Sequence, residues 1–140
     1  MEELINFNAR KLYQKLFMSD DEFDMWLKRL GLLFTERACV CGGKMGLKRK
    51  PDERYPSWRC TRNSCRKERG YLVETWFEGT HLTLKEVFHL SYLWSRQTHD
   101  HDEIMFDMQR QDRSTISPTT ITDFNNFFRE VCVYHYPYFF

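Results

Sequence analysis

Cys39-Val40-Cys41-Gly42-Gly43 and Trp58-Arg59-Cys60-Thr61-Arg62-Asn63-Ser64-Cys65 are the stretches that decide how this chain folds. Two close cysteine pairs about twenty residues apart can converge on one tetrahedral zinc through four thiolates. The diglycine after Cys41 suits such a knuckle, because glycine accepts the positive φ that turns backbone N–H groups towards thiolates. Cys39, Cys41, Cys60 and Cys65 are therefore the expected ligands of one structural Zn2+. The segment around them has little core of its own, so the metal would hold it together. That points to a ribbon-type module contacting nucleic acid or protein rather than to an enzyme pocket.

Working outward, the chain has 140 residues. That is enough for one ordinary domain or for two or three very small ones. Its 41% hydrophobic and 16% aromatic content belongs to a folding chain, not a disordered one. No apolar run approaches the roughly 18 residues of a membrane span. The start, Met1-Glu2-Glu3-Leu4, is acidic and has no signal-peptide pattern. Five cysteines cannot all pair within the chain. A reducing, intracellular compartment is expected, where close cysteine pairs bind metal more often than they oxidise.

The formal net charge of +1 hides an asymmetry. Residues 39–70 hold ten Lys/Arg against three Asp/Glu, whereas residues 71–140 hold five against ten. Four thiolates and one Zn2+ add about −2 to the cysteine segment, which stays basic. Such local charge attracts phosphate. Lys48, Arg49, Lys50, Arg59, Arg62, Arg66 and Lys67 are the expected phosphate contacts.

Three regions follow from the pattern: N-terminal helices over 1–37, a zinc ribbon over 38–80, and a helix-turn-helix with an aromatic tail over 81–140. The fold class expected is small α+β. Leu4, Phe7, Leu12, Leu16 and Phe17 form an approximate helical stripe. Ser19 to Glu22 is a capping box, and Phe23, Trp26, Leu27 and Leu30 recur at helical spacing after it. Gly31 is placed to end that helix. In the ribbon, Met45-Gly46-Leu47 and Trp58-Arg59-Cys60 read as short antiparallel strands around a turn at Pro51-Asp52-Glu53. The β-branched and aromatic run Tyr71–Phe77 reads as a further strand. Beyond it, Thr83 to Glu86 is a second capping box. A polar break at Gln97–Asp102 precedes a short helix around Glu103–Gln109, and Ser117-Pro118 opens the last helix.

Three helices with a Ser-Pro-capped third suggest a helix-turn-helix. Ile121, Phe124, Phe128 and Val131 would be its buried face. Thr119, Thr120, Thr122, Asp123, Asn125, Asn126 and Arg129 would face outward. Short polar side chains at a helix N-terminus suit base edges and phosphates. A plain three-helix bundle with a polar outer face has the same pattern.

Taken in order, Cys41-Gly42-Gly43-Lys44-Met45-Gly46-Leu47, Trp58-Arg59-Cys60 with Cys65, Thr75–Leu84 and Tyr92-Leu93-Trp94 resemble the N-terminal region of Merlin-type DNA transposases and their bacterial insertion-sequence relatives. Ser117–Phe124 and Phe128–Cys132 are similar to the helix-turn-helix end of that region. The resemblance runs from about Asp20 to Val133. Here the first knuckle is Cys-x-Cys, where the family more usually has Cys-x-x-Cys. The resemblance implies a transposase-derived protein that binds double-stranded DNA in the nucleus. It implies no catalytic residues, because the family's RNase H-like nuclease would begin only after Phe140. The aromatic end Tyr134–Phe140 is a candidate surface for a protein partner or self-association.

Two other functional readings stay open at this stage. The acidic balance of residues 71–140 suits a protein-interaction adaptor in a nuclear or chromatin complex that has lost DNA binding. His81, His89, His99, His101 and His135 could serve acid–base chemistry, and His99-Asp100-His101-Asp102 could hold a metal. Such an alternating loop is more often solvated polarity. Cys132, on the apolar side of the last helix, reads as a small hydrophobe without a metal.

Overall fold

Local caps place most of the helices. The computed structural model describes residues 2–136. After a 3-10 turn at Glu2–Leu4, these form α1 (Ala9–Leu16), α2 (Asp20–Arg29), β1 (Arg37–Ala38), β2 (Lys44–Lys48), β3 (Ser57–Cys60), β4 (Glu68–Gly70), α3 (Leu84–Ser95), α4 (His101–Asp107) and α5 (Pro118–His135). Ser19 Oγ accepts the Glu22 N–H at 3.3 Å while Glu22 Oε2 accepts the Ser19 N–H at 3.0 Å. Thr83 and Glu86 repeat the arrangement at 3.1 and 2.9 Å. Both capping boxes read from the sequence are present. α2 ends in a Schellman motif, the Gly31 N–H reaching the Lys28 carbonyl and the Leu32 N–H the Leu27 carbonyl, both at 3.0 Å. Ser117 Oγ accepts the Thr120 N–H at 3.1 Å to start α5.

The chain gathers into two compact units, residues 2–6 with 17–81 and residues 7–16 with 82–136. In the first, the four strands form one antiparallel sheet in the order β1-β2-β3-β4. Met45 pairs with Arg37 on one side and Cys60 on the other. The pleat therefore puts Arg37, Met45, Trp58 and Cys60 on one face, and all four are buried. Phe23, Trp26 and Leu27 of α2, with Leu30, Leu33, Cys39, Ser57, Tyr71 and Phe77, are also buried in this unit.

The sheet differs from expectation at both edges. Tyr71–Phe77 is not a strand; it is a succession of turns. Tertiary bonds override its β-propensity. Arg37 donates to the Val73 carbonyl at 2.8 Å and pairs with Glu74, which sits at φ 63°. Thr75 Oγ1 donates to the Leu72 carbonyl at 2.6 Å, and Glu78 accepts the Glu74 N–H at 2.9 Å. The outer strand is instead the charged triplet Glu68-Arg69-Gly70, and β1 adds an edge that the sequence did not announce.

The second unit is helical. α3 packs against α1 and α5, and α4 against α5. Phe7 meets Phe88 and Tyr92 at 5.7 and 6.2 Å between ring centroids, and Trp94 meets Phe128 at 5.7 Å. Ile104, Ile116, Ile121 and Phe128 are buried between them. The N-terminal stripe does not make one helix. Asn6 at φ 55° breaks it, and Phe17 is 85% exposed. α4 begins two residues before its expected start, because Asp100 Oδ1 accepts the Glu103 N–H at 2.9 Å. The segment His99–Asp102 is thus a helix start rather than a loop.

His89 on α3 is buried, edge-on to Tyr13 of α1 at 6.1 Å. Its Nε2 has no hydrogen-bond partner among the described residues. Burial holds its pKa below the ordinary 6.5, with Asp107 pulling the other way. Folding therefore favours the neutral ring, and the unfolded chain takes up the proton first. The stability contribution is complete above about 6.5 and is lost as pH falls through that value towards the lower folded pKa. Lowering the pH from about 7.5 to about 5 should reduce the thermal midpoint of the helical unit, and His89→Phe should remove part of that slope. An equal slope in the variant would refute this.

Candidate metal centre and nucleic-acid interface

Four thiols from two turns meet at one end of the sheet. Cys39 follows β1, and its N–H donates to the Gly43 carbonyl at 2.8 Å, while the Gly42 N–H returns to the Cys39 carbonyl at 2.8 Å. Gly42 sits at φ 79°, the positive value the diglycine was expected to provide. Gly43 is a glycine for another reason. A Cβ there would meet the Cγ and Cδ of Arg62 at 3.0 Å. Cys60 closes β3, and the turn Arg62–Cys65 carries Cys65 back towards it, its N–H donating to the Arg62 carbonyl at 3.0 Å.

The sulfur atoms of Cys39, Cys41, Cys60 and Cys65 all lie within 4.8 Å of one another. Cys39 Sγ is 3.7 Å from Cys65 Sγ, and Cys41 Sγ is 3.6 Å from Cys60 Sγ. The cluster is a group that could hold a metal ion. The Gly43 N–H pulls the Cys41 thiol down to about 6, helped by the neighbouring sulfurs. The Cys60 thiol, although the Arg62 N–H favours its thiolate, is pushed up to about 11 by burial and those sulfurs. Four ionised sulfurs this close repel one another unless a cation sits between them, and four thiolates at tetrahedral spacing suit a soft divalent ion such as Zn2+. Cys132 is half-buried on α5, outside the cluster.

The expected phosphate contacts divide into two groups. Register puts Lys44, Lys48 and Arg59 on the sheet face opposite Met45 and Trp58. On this face Glu68 draws in cations. Lys50 Nζ reaches it at 3.2 Å and also Glu53 at 3.4 Å, and Arg59 Nε lies 3.7 Å away. Lys50 holds the Glu68 carboxyl below the usual carboxylate range. Arg49 faces Asp21 at 3.9 Å. Lys48 and Lys67 are exposed and, among the described residues, make no ion pair. Arg66 donates to Asn63 at 3.3 Å and Arg62 to the Cys41 carbonyl at 2.7 Å.

On α5, Thr119, Thr122, Asp123, Asn126 and Arg129 are exposed, Thr120 and Asn125 partly so. Ile121 and Phe128 are buried beneath them. Thr122 Oγ1 donates to the Pro118 carbonyl at 3.1 Å, Thr120 Oγ1 meets Ser117 Oγ at 2.9 Å, and Arg129 donates to Asn126 at 3.3 Å. Tyr134 and Tyr136 are exposed. The rest of the aromatic tail, residues 137–140, lies outside the described residues.

Arg37 and the structural contacts of Arg62 had no sequence signal, since both depend on carbonyls distant in the chain. No histidine joins a group of three or more that could hold a metal; the four cysteines are the only such group among the described residues. No helix among these residues is long and apolar enough to cross a membrane. No family model, curated protein or solved structure matches the chain.

Proposed function

We propose that this is a DNA-binding protein, derived from a Merlin-type transposase, whose first unit is a zinc ribbon folded around one structural Zn2+. The observation that carries the proposal is the convergence of four thiols beside a basic sheet face. Zn2+ fixes the ends of β2 and β3, and Lys48 and Lys67 meet phosphates. Helices α3 to α5 serve as a helix-turn-helix. The exposed stripe Thr119, Thr122, Asn126 and Arg129 reads base edges, Asn126 being suited to the N6 and N7 of adenine.

Charge distribution supports this over a protein adaptor. Arg10, Lys11 and Lys15 belong to the helical unit, and Glu74 and Glu78 do not. That unit therefore holds eight Lys/Arg and eight Asp/Glu, so the acidic excess read along the sequence does not oppose phosphate there.

The test measures binding of two variants to a selected duplex and to random duplex across a salt series. Lys48→Ala should weaken both alike and lower the salt slope by about 0.9. Asn126→Ala should weaken only the selected duplex, by about 1–3 kcal/mol. Absence of duplex binding by the zinc-loaded protein at low salt would reject the DNA reading and favour the adaptor.

A further inference from the structure

Arg62 touches both halves of the four-cysteine cluster. Its backbone carbonyl accepts the Cys65 N–H at 3.0 Å within the second knuckle. Its Nη1 crosses to the other knuckle and donates to the Cys41 carbonyl at 2.7 Å. Between these ends its aliphatic stem lies on Gly43, so close that a Cβ there would stand 3.0 Å from Cγ and Cδ and 3.2 Å from Nε. Gly43 does not have the positive φ of Gly42, so the pressing side chain of Arg62 is what a larger residue would violate. One residue thus ties the backbone of the second knuckle to the backbone of the first.

We propose that Arg62 is a positioning residue that clasps the two knuckles and holds Cys41 and Cys60 at ligand spacing. It is not a phosphate contact. The inference rests on the metal reading of the four thiols. Its guanidinium is permanently charged and lies beside a site that carries about −2 once four thiolates surround a divalent ion, so it also offsets that charge. Removing it frees the Cys41 carbonyl and lets the first knuckle open. Residues that orient ligands in this way typically change metal affinity 10–100-fold when lost.

The experiment follows transfer of zinc from the full-length, zinc-loaded protein to excess chromogenic chelator. Arg62→Ala should release zinc about 10-fold faster or more. Arg62→Lys should fall between it and wild type. Lys44→Ala removes an equal charge from an exposed site and should release at the wild-type rate. Gly43→Ala displaces the clasp from the other side and should also accelerate release. The double variant should be no faster than Arg62→Ala, because the clash disappears with the side chain. Gly43→Ala carries the test if Arg62→Ala does not fold. With zinc saturating, Arg62→Ala should keep the wild-type salt slope for DNA, whereas a phosphate contact would lower it by about one. Wild-type release rates in both single variants would overturn the clasp while leaving the metal site standing. A wild-type chain that binds no zinc would overturn the metal reading, and the clasp with it.

Discussion

Cys60→Ser is expected to release the metal and unfold the sheet. Cys60 is the last residue of β3, pairs with Met45 and is 3% exposed. A serine hydroxyl at that point is a poor zinc ligand and becomes a buried polar group. Structural zinc contributes about 10–16 kcal/mol in small modules. A whole domain is typically stable by only about 5–15 kcal/mol. The strands here are two to five residues long, and the segment between them is largely turn. Ladders this short add little pairing strength of their own. Native mass spectrometry should find one zinc in the wild type and none in the variant. Amide exchange should become fast across β2 and β3. Full zinc stoichiometry in Cys60→Ser would remove that residue from the ligand set.

Trp26→Ala should cost about 3–5 kcal/mol, the second-largest effect expected. Trp26 is 0% exposed and leans on Phe23, with centroids 5.5 Å apart. Its indole N–H donates to Glu3 Oε2 at 2.7 Å, tying α2 to the 3-10 turn at the start of the chain. Alanine leaves a cavity and takes the indole N–H away from Glu3. Trp26→Phe separates the two, since it keeps most of the apolar volume and loses the N–H; a bond to a charged group contributes about 1.5–3 kcal/mol. Urea denaturation of the zinc-loaded variants measures both. A cost below about 1 kcal/mol for Trp26→Ala would mean that the site collapses around the missing ring.

What the sequence disclosed was local. Ser19, Thr83 and Ser117 each cap a helix through a backbone N–H three residues on, so neighbours in sequence carry the whole signal. The cysteines were legible because thiolate pairs at this spacing suit few other purposes in a reducing setting. Tyr71–Phe77 misled because β-propensity records how well a residue suits a pleated, half-buried surface. The deciding contact there comes from Arg37, thirty-six residues earlier. Gly43 was readable as a glycine position, but its cause, the stem of Arg62, lies across the knuckles.

The assignment of α1 to the helical unit bears on the order in which the parts form during synthesis. Residues 7–16 leave the ribosome early, but α3 against which α1 packs begins only at Leu84. At about 5–20 residues per second, α1 waits roughly 3–14 s with its apolar stripe uncovered. Meanwhile residues 17–81 are complete and hold all four clustered cysteines. The nascent chain thus passes through a stage in which residues 17–81 are complete while α1, already synthesised, keeps Leu12 and its neighbours uncovered until the C-terminal helices arrive.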